Sequence, residues 1–234
     1  MSVSENLTLV RTRIAGAARR AERDPSSITL ITVSKTVDAG RIREVVAAGA
    51  SVLGENRVQE AKDKIAQLGN IASWHLIGRL QSNKAKYAVK LFDLIHSVDS
   101  IGLAAEIGRQ AGKLGKVQDV LIEVNIGSEV QKGGVLPAGV ADLVARAAQL
   151  GTIRIKGLMT IPPYAEDPEA SRPYYRQLRE LAACIDKEGI PGVSMAILSM
   201  GMSGDFEVAI EEGATMVRVG TAIFGERTGL ASQE

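Results

Sequence analysis

Apolar residues recur along this chain with two different periods. In residues 3–20, Leu7, Val10, Ile14 and Ala17 are spaced 3, 4 and 3, which places them on one face of an amphipathic helix. Ile28–Ser34 is instead a short run rich in β-branched residues and predicts a buried strand. Ile42, Val45 and Val46 then mark a helix that ends at Gly49. Val58, Ala61, Ile65 and Leu68 mark another that ends at Gly69. The alternation continues, with Gly115, Gly151, Gly189 and Gly213 each between a helical pattern and an apolar run. A glycine just past a helix takes the left-handed conformation that ends it.

The predicted strands are Ile28–Ser34, Ser51–Leu53, Ala72–Ile77, Leu91–His96, Val117–Val124, Thr152–Met159, Val193–Leu198 and Thr215–Val219. A helix can be drawn between each pair. Eight βα units in 234 residues fit an α/β chain folded as a single (β/α)8 TIM barrel, typically ~250 residues long. The expected domain is 1–234, with one extra N-terminal helix. A doubly wound open sheet competes with this reading. Its first turn usually carries glycines for a dinucleotide, whereas here that turn runs from Val33 to Val37 without one. The stretch Pro162–Pro168 reads as a βα loop, and no repeat or linker stands out.

Aromatics make up only 3% of the residues, so the core must be built of Val, Ile, Leu and Ala. A net charge of +1 gives no reason to expect nucleic acid or an anionic membrane as partner. Cys184 is the single cysteine, which excludes an intrachain disulfide; its helical context predicts a packed thiol. With His75 and His96 the only histidines, a zinc site is not expected. Glu5, Arg11 and Arg13 interrupt any apolar run near the start, so no signal peptide or membrane span is expected and the predicted location is cytoplasmic.

Barrel active sites lie at the C-terminal ends of strands. Those ends carry Lys35, then Glu55 and Asn56, His75, Asn125 and Met159, followed by Ser199–Ser203 and Arg218–Thr221. Each has an ordinary explanation. Lys35 fits a strand cap that snorkels to water. Asn56 fits a helix cap, His75 a satisfied histidine, and Glu55 a partner for a nearby cation. Against this, apolar surroundings disfavour an ammonium and make its amine nucleophilic, as a Schiff-base lysine requires. The loops Ser199–Asp205 and Gly220–Ala222 follow strands seven and eight, where barrels often bind phosphate. The alternative is two helix starts capped by Ser203 and Thr221. A strand-end lysine and a phosphate loop at one barrel mouth point to pyridoxal 5′-phosphate (PLP), with an imine between Lys35 and its aldehyde. Arg218 would point inward, toward the ring nitrogen. A cation there keeps that nitrogen unprotonated and weakens the cofactor as an electron sink.

Six motifs span nearly the whole chain: Thr32–Thr36, Gly54–Ala61, Trp74–Gln81, Gly157–Thr160, Leu198–Ser203 and Arg218–Gly225. Together they resemble the PLP homeostasis protein family, also called the proline synthetase co-transcribed homologues. The resemblance implies a barrel similar to the N-terminal domain of alanine racemase, with PLP on Lys35. It also implies that Ser199, Gly220 and Thr221 hold the phosphate and that Arg218 faces the ring nitrogen. The full expected cofactor-binding set is Lys35, Asn56, Ser199, Gly201, Arg218, Gly220 and Thr221.

Alanine racemase has a second, β-rich domain that supplies a tyrosine base to the opposite face of the substrate, and no residues are expected for it after Glu234. Two-base racemisation needs proton carriers on both faces, a role left here to Tyr164 or His75. The expected function is therefore PLP carriage or buffering in vitamin B6 homeostasis, without turnover and with effects on amino-acid and keto-acid balance. PLP-dependent enzymes would be recipients, and the protein a monomer. One alternative is a PLP-dependent amino-acid racemase acting through Lys35, alone or with His75. Another is a protein-binding regulator with PLP as a structural ligand.

Overall fold

The structure, a computed structural model, describes residues 1–225; residues 226–234 of the expected domain lie outside the described residues. Helix α1 (Val3–Arg20) comes first. Ser2 and Glu5 cap it reciprocally, Glu5 N–H donating to Ser2 Oγ at 3.2 Å and Ser2 N–H to Glu5 Oε2 at 2.7 Å. Among the described residues, eight strands and eight more α-helices alternate after it: β1 (Thr29–Val33), α2 (Ala39–Ala47), β2 (Val52–Glu55), α3 (Val58–Leu68), β3 (Ser73–Leu76), α4 (Ala85–Leu91), β4 (Leu94–Val98), α5 (Ile101–Gly112), β5 (Gln118–Glu123), α6 (Val140–Ala148), β6 (Ile153–Met159), α7 (Arg172–Lys187), β7 (Val193–Ser199), α8 (Phe206–Glu211), β8 (Met216–Val219) and α9 (Thr221–Phe224).

The strands close in sequence order into one parallel barrel, β8 returning to β1 with Ile31 opposite Arg218. This is the predicted (β/α)8 architecture. The extra N-terminal helix packs on α8, α9 and α2. Its Asn6 side chain donates to the Ile223 carbonyl at 2.9 Å, which ties the start of the chain to the last turn.

Side chains alternate across each strand, so one set fills the barrel and the other packs under the helices. Leu94, Leu121 and Met159 form an interior cluster with Ile197 and Met216. Two residues further along four of those strands the inward residue is polar: His96, Glu123, Ser199 and Arg218. The barrel thus has an apolar floor and a polar storey above it, toward the mouth.

Strand boundaries differ from the sequence reading by a few residues. The largest shift is at β4, because Leu91 completes α4 and Phe92, fully buried, follows it. His96 consequently lies within the strand and inside the barrel, not at a strand end. Cys184 is exposed, against the packed thiol expected. The buried stripe of α7 is Tyr175, Leu178, Ala182 and Ile185, and position 184 falls off it.

Candidate functional site

A cavity of about 510 Å³ opens at the C-terminal end of the barrel. Its wall combines Lys35 and Asn56 on one side, Glu123 and Asn125 on another, and the two glycine loops with Arg218 on the third. Gly78 shapes the wall. A Cβ there would lie 2.7 Å from Asn56 Cα and closer still to its carbonyl oxygen, so only glycine allows this approach.

Lys35 is half-buried and lies two residues past the end of β1. Its backbone is held from below. Lys64 Nζ donates to the Ser34 carbonyl at 2.5 Å and pairs with Glu55 and Glu60, each at 2.7 Å. Ser34 Oγ donates to Glu55 Oε1 at 2.6 Å. Glu60 also accepts from the Thr36 amide, which fixes Thr36 at φ +62°, a costly left-handed conformation for a β-branched residue. Burial pushes the Glu55 carboxyl up, and Lys64 and Ser34 pull it back toward the charged form.

The loop after β7 is clamped by Asp205, which accepts from Met202 N–H at 2.7 Å and from the Tyr175 hydroxyl at 2.6 Å. Burial and the Asp205 charge push the Tyr175 hydroxyl well above the usual phenol range, so it stays a donor. Ser203 Oγ joins the two glycine loops, accepting from the amides of Gly220 and Ala222 at 3.3 and 3.4 Å. Gly201 has φ +90°, and a Cβ there would stand 2.6 Å from Ala209 Cβ. It serves the close packing of α8 and does not line the cavity.

Arg218 is almost entirely buried and reaches the cavity wall. Nη1 donates to Ser199 Oγ at 2.8 Å and Nη2 to the Thr160 carbonyl at 2.9 Å. Among the described residues it forms no ion pair, and burial lowers its affinity for its proton. Ser199 Oγ lies 3.0 Å from His96 Nδ1, and His96 Nε2 lies 3.1 Å from His75 Nδ1. His75 and His96 are both buried, and desolvation holds both below the usual imidazole range, His75 at about 4.

Of the residues predicted from sequence, Lys35, Asn56, Arg218, Gly220 and Thr221 line one cavity. Ser199 lies one step behind, against Arg218. Asn56 caps no helix; Arg57 holds that position, without a side-chain bond. Tyr164 is 91% exposed and off the cavity wall, and His75 is off it too. Sequence reasoning passed over Glu123, Arg79 and Lys132, which also line the cavity. For Glu123 there was a signal: a carboxylate near the C-terminal end of a predicted strand, after the apolar run Val120–Ile122. Burial and Asp99 push it up to about 7.

Residues 6–228 match the family described as alanine racemase, N-terminal domain. A pyridoxal phosphate homeostasis protein of Aquifex aeolicus is 50% identical over 228 residues, covering 97% of this chain and 99% of the relative. The chain belongs to the pyridoxal phosphate homeostasis protein family. Among solved structures, PipY of Synechococcus elongatus, with PLP bound, superposes with a TM-score of 0.84. It is 39% identical, and the match covers 96% of this chain and all of that one. An alanine racemase of Clostridium difficile superposes with a TM-score of 0.74 at 18% identity, covering 96% of this chain and 58% of the racemase. That likeness shows the shared barrel alone.

Proposed function

We propose that the cavity binds PLP and that the protein carries or buffers it in vitamin B6 homeostasis. The observation that carries this reading is one of placement. The Lys35 amine, the Ser203 and Thr221 hydroxyls, the glycine loops and the Arg218 cation all open on the same space. That donor set suits a phosphorylated aldehyde with a ring nitrogen. Lys35 would attach it covalently. Ser203, Gly220 and Thr221 would hold the phosphate, Arg218 would face the ring nitrogen, and Asn56 would complete the wall. When bound, the cofactor supplies an electron sink for amine chemistry. Ser199 and Gly201 act on this set indirectly, through Arg218 and through the packing of α8.

Carriage is favoured over turnover because neither sequence-proposed second base lines the cavity. A buried cation at position 218 also weakens the electron sink, and relatives carry the homeostasis name. Recipients would be PLP-dependent enzymes that lack their cofactor. The test is borohydride reduction of PLP-loaded protein followed by peptide mapping. The label is expected on Lys35 and absent in Lys35→Ala; a label on another lysine, such as Lys84, would overturn the assignment. Racemisation or transamination at ~1–10³ s⁻¹ would overturn the carrier reading.

A further inference from the structure

The pair His75 and His96 is buried inside the barrel, off the cavity wall, and has no part in the function proposed above. A guanidinium can only donate. The Ser199 oxygen must therefore turn a lone pair toward Arg218 Nη1, 2.8 Å away. The hydroxyl hydrogen is then left to find an acceptor in a site closed to water, and His96 Nδ1 at 3.0 Å is the one in reach. Nδ1 can accept only if it carries no proton, which leaves the proton on Nε2. Nε2 lies 3.1 Å from His75 Nδ1, which by the same logic accepts, so His75 also carries its proton on Nε2. The chain of donors runs in one direction.

The charged surroundings favour this state. Asp93, between α4 and β4, is the charge that most raises His75, and it is outweighed by burial. His96 faces His75 and the Arg218 cation, and all its influences disfavour a second positive charge. A Ser199 hydroxyl without His96 would be free to rotate and present its hydrogen to Arg218.

We infer that His96, backed by His75, is a positioning residue that locks the Ser199 hydroxyl and thereby holds the Arg218 guanidinium against the cavity wall. On the proposed reading the ligand so served is the ring nitrogen of PLP. The inference rests on that reading only for its functional consequence.

Two measurements on ligand-free protein test the chain. In ¹⁵N spectra of the histidine side chains at pH 7, His96 and His75 should both be neutral with the proton on Nε2. The Nη protons of Arg218 should give separate resonances in wild type and lose them in folded His96→Leu, while His96→Asn, which returns an acceptor near the Nδ1 position, should keep them. If His96→Leu does not fold, Ser199→Ala makes the same comparison. A third measurement concerns the ligand. PLP affinity should fall about tenfold in His96→Leu, as for one lost hydrogen bond, and recover in His96→Asn. A proton on His96 Nδ1 would overturn the inference. So would unchanged Arg218 resonances in folded His96→Leu, or an affinity that Asn does not restore. Failure of wild type to bind PLP would instead overturn the proposed function and leave the ¹⁵N test standing.

Discussion

Lys64 Nζ stands 2.7 Å from Glu55 Oε1 and donates to the carbonyl of Ser34, so a buried ion pair grips the residue just before Lys35. Glu55 is fully enclosed and Lys64 is 8% exposed. Removing one partner of such a pair leaves a buried charge uncompensated, at a cost of about 3–5 kcal/mol. Lys64→Met should therefore lower stability by about that amount in denaturant titration. It should also weaken covalent attachment at Lys35, since the Ser34 carbonyl then loses the ammonium that grips it. A stability loss under about 1 kcal/mol would show that water or rearrangement satisfies Glu55.

Thr221 opens on the cavity beside Gly220. Its hydroxyl is one donor among several, and the residue is exposed, so solvent competes. Hydrogen bonds to charged groups contribute about 1.5–3 kcal/mol, and the low end applies here. Thr221→Ala should weaken PLP binding roughly tenfold without abolishing it. Unchanged affinity by fluorescence titration would place the phosphate elsewhere.

The contact of Gly78 with Asn56 is backbone against backbone, so no side-chain rotation can relieve an added methyl. Overpacking of this kind costs about 1–3 kcal/mol. Gly78→Ala should lower the denaturation midpoint and displace Asn56 from the cavity wall. A wild-type midpoint would mean that the loop after β3 shifts freely.

The strands could be read from the chain because each is a short apolar run, six of the eight set off by a glycine, and the closing order follows from their number. Lys35, Asn56, Arg218, Gly220 and Thr221 could be placed because strand ends face one mouth in a barrel. What lies one storey below could not. That His96 on β4 meets Ser199 on β7 depends on how the strands are staggered around the barrel, and no local period carries that information. Lys64 looks like an interruption in the apolar face of α3, and only Glu55, on a neighbouring strand, explains it. Ser203, for which a helix cap is the alternative to a phosphate contact, does bind amides, but those of the other loop.

Glu123 gives the last prediction. Its carboxyl titrates near 7 in the folded protein against an ordinary value of 4.5, first because of burial and then because of Asp99. The folded state thus holds this proton more tightly than the unfolded chain does. Below pH 4.5 both states are protonated and Glu123 carries no penalty. As pH rises toward 7 the unfolded chain ionises first, so stability falls, and above about 7 the loss is constant. The gap of about 2.5 units, 7 less 4.5, sets a ceiling of about 3 kcal/mol. Glu123→Gln keeps the shape and removes the charge. It should raise the melting temperature at pH 8 by several degrees and leave it nearly unchanged at pH 4. Equal gains at both values, measured by calorimetry, would mean that packing and not charge is responsible; no gain at pH 8 would mean that Glu123 is solvated or paired when ionised.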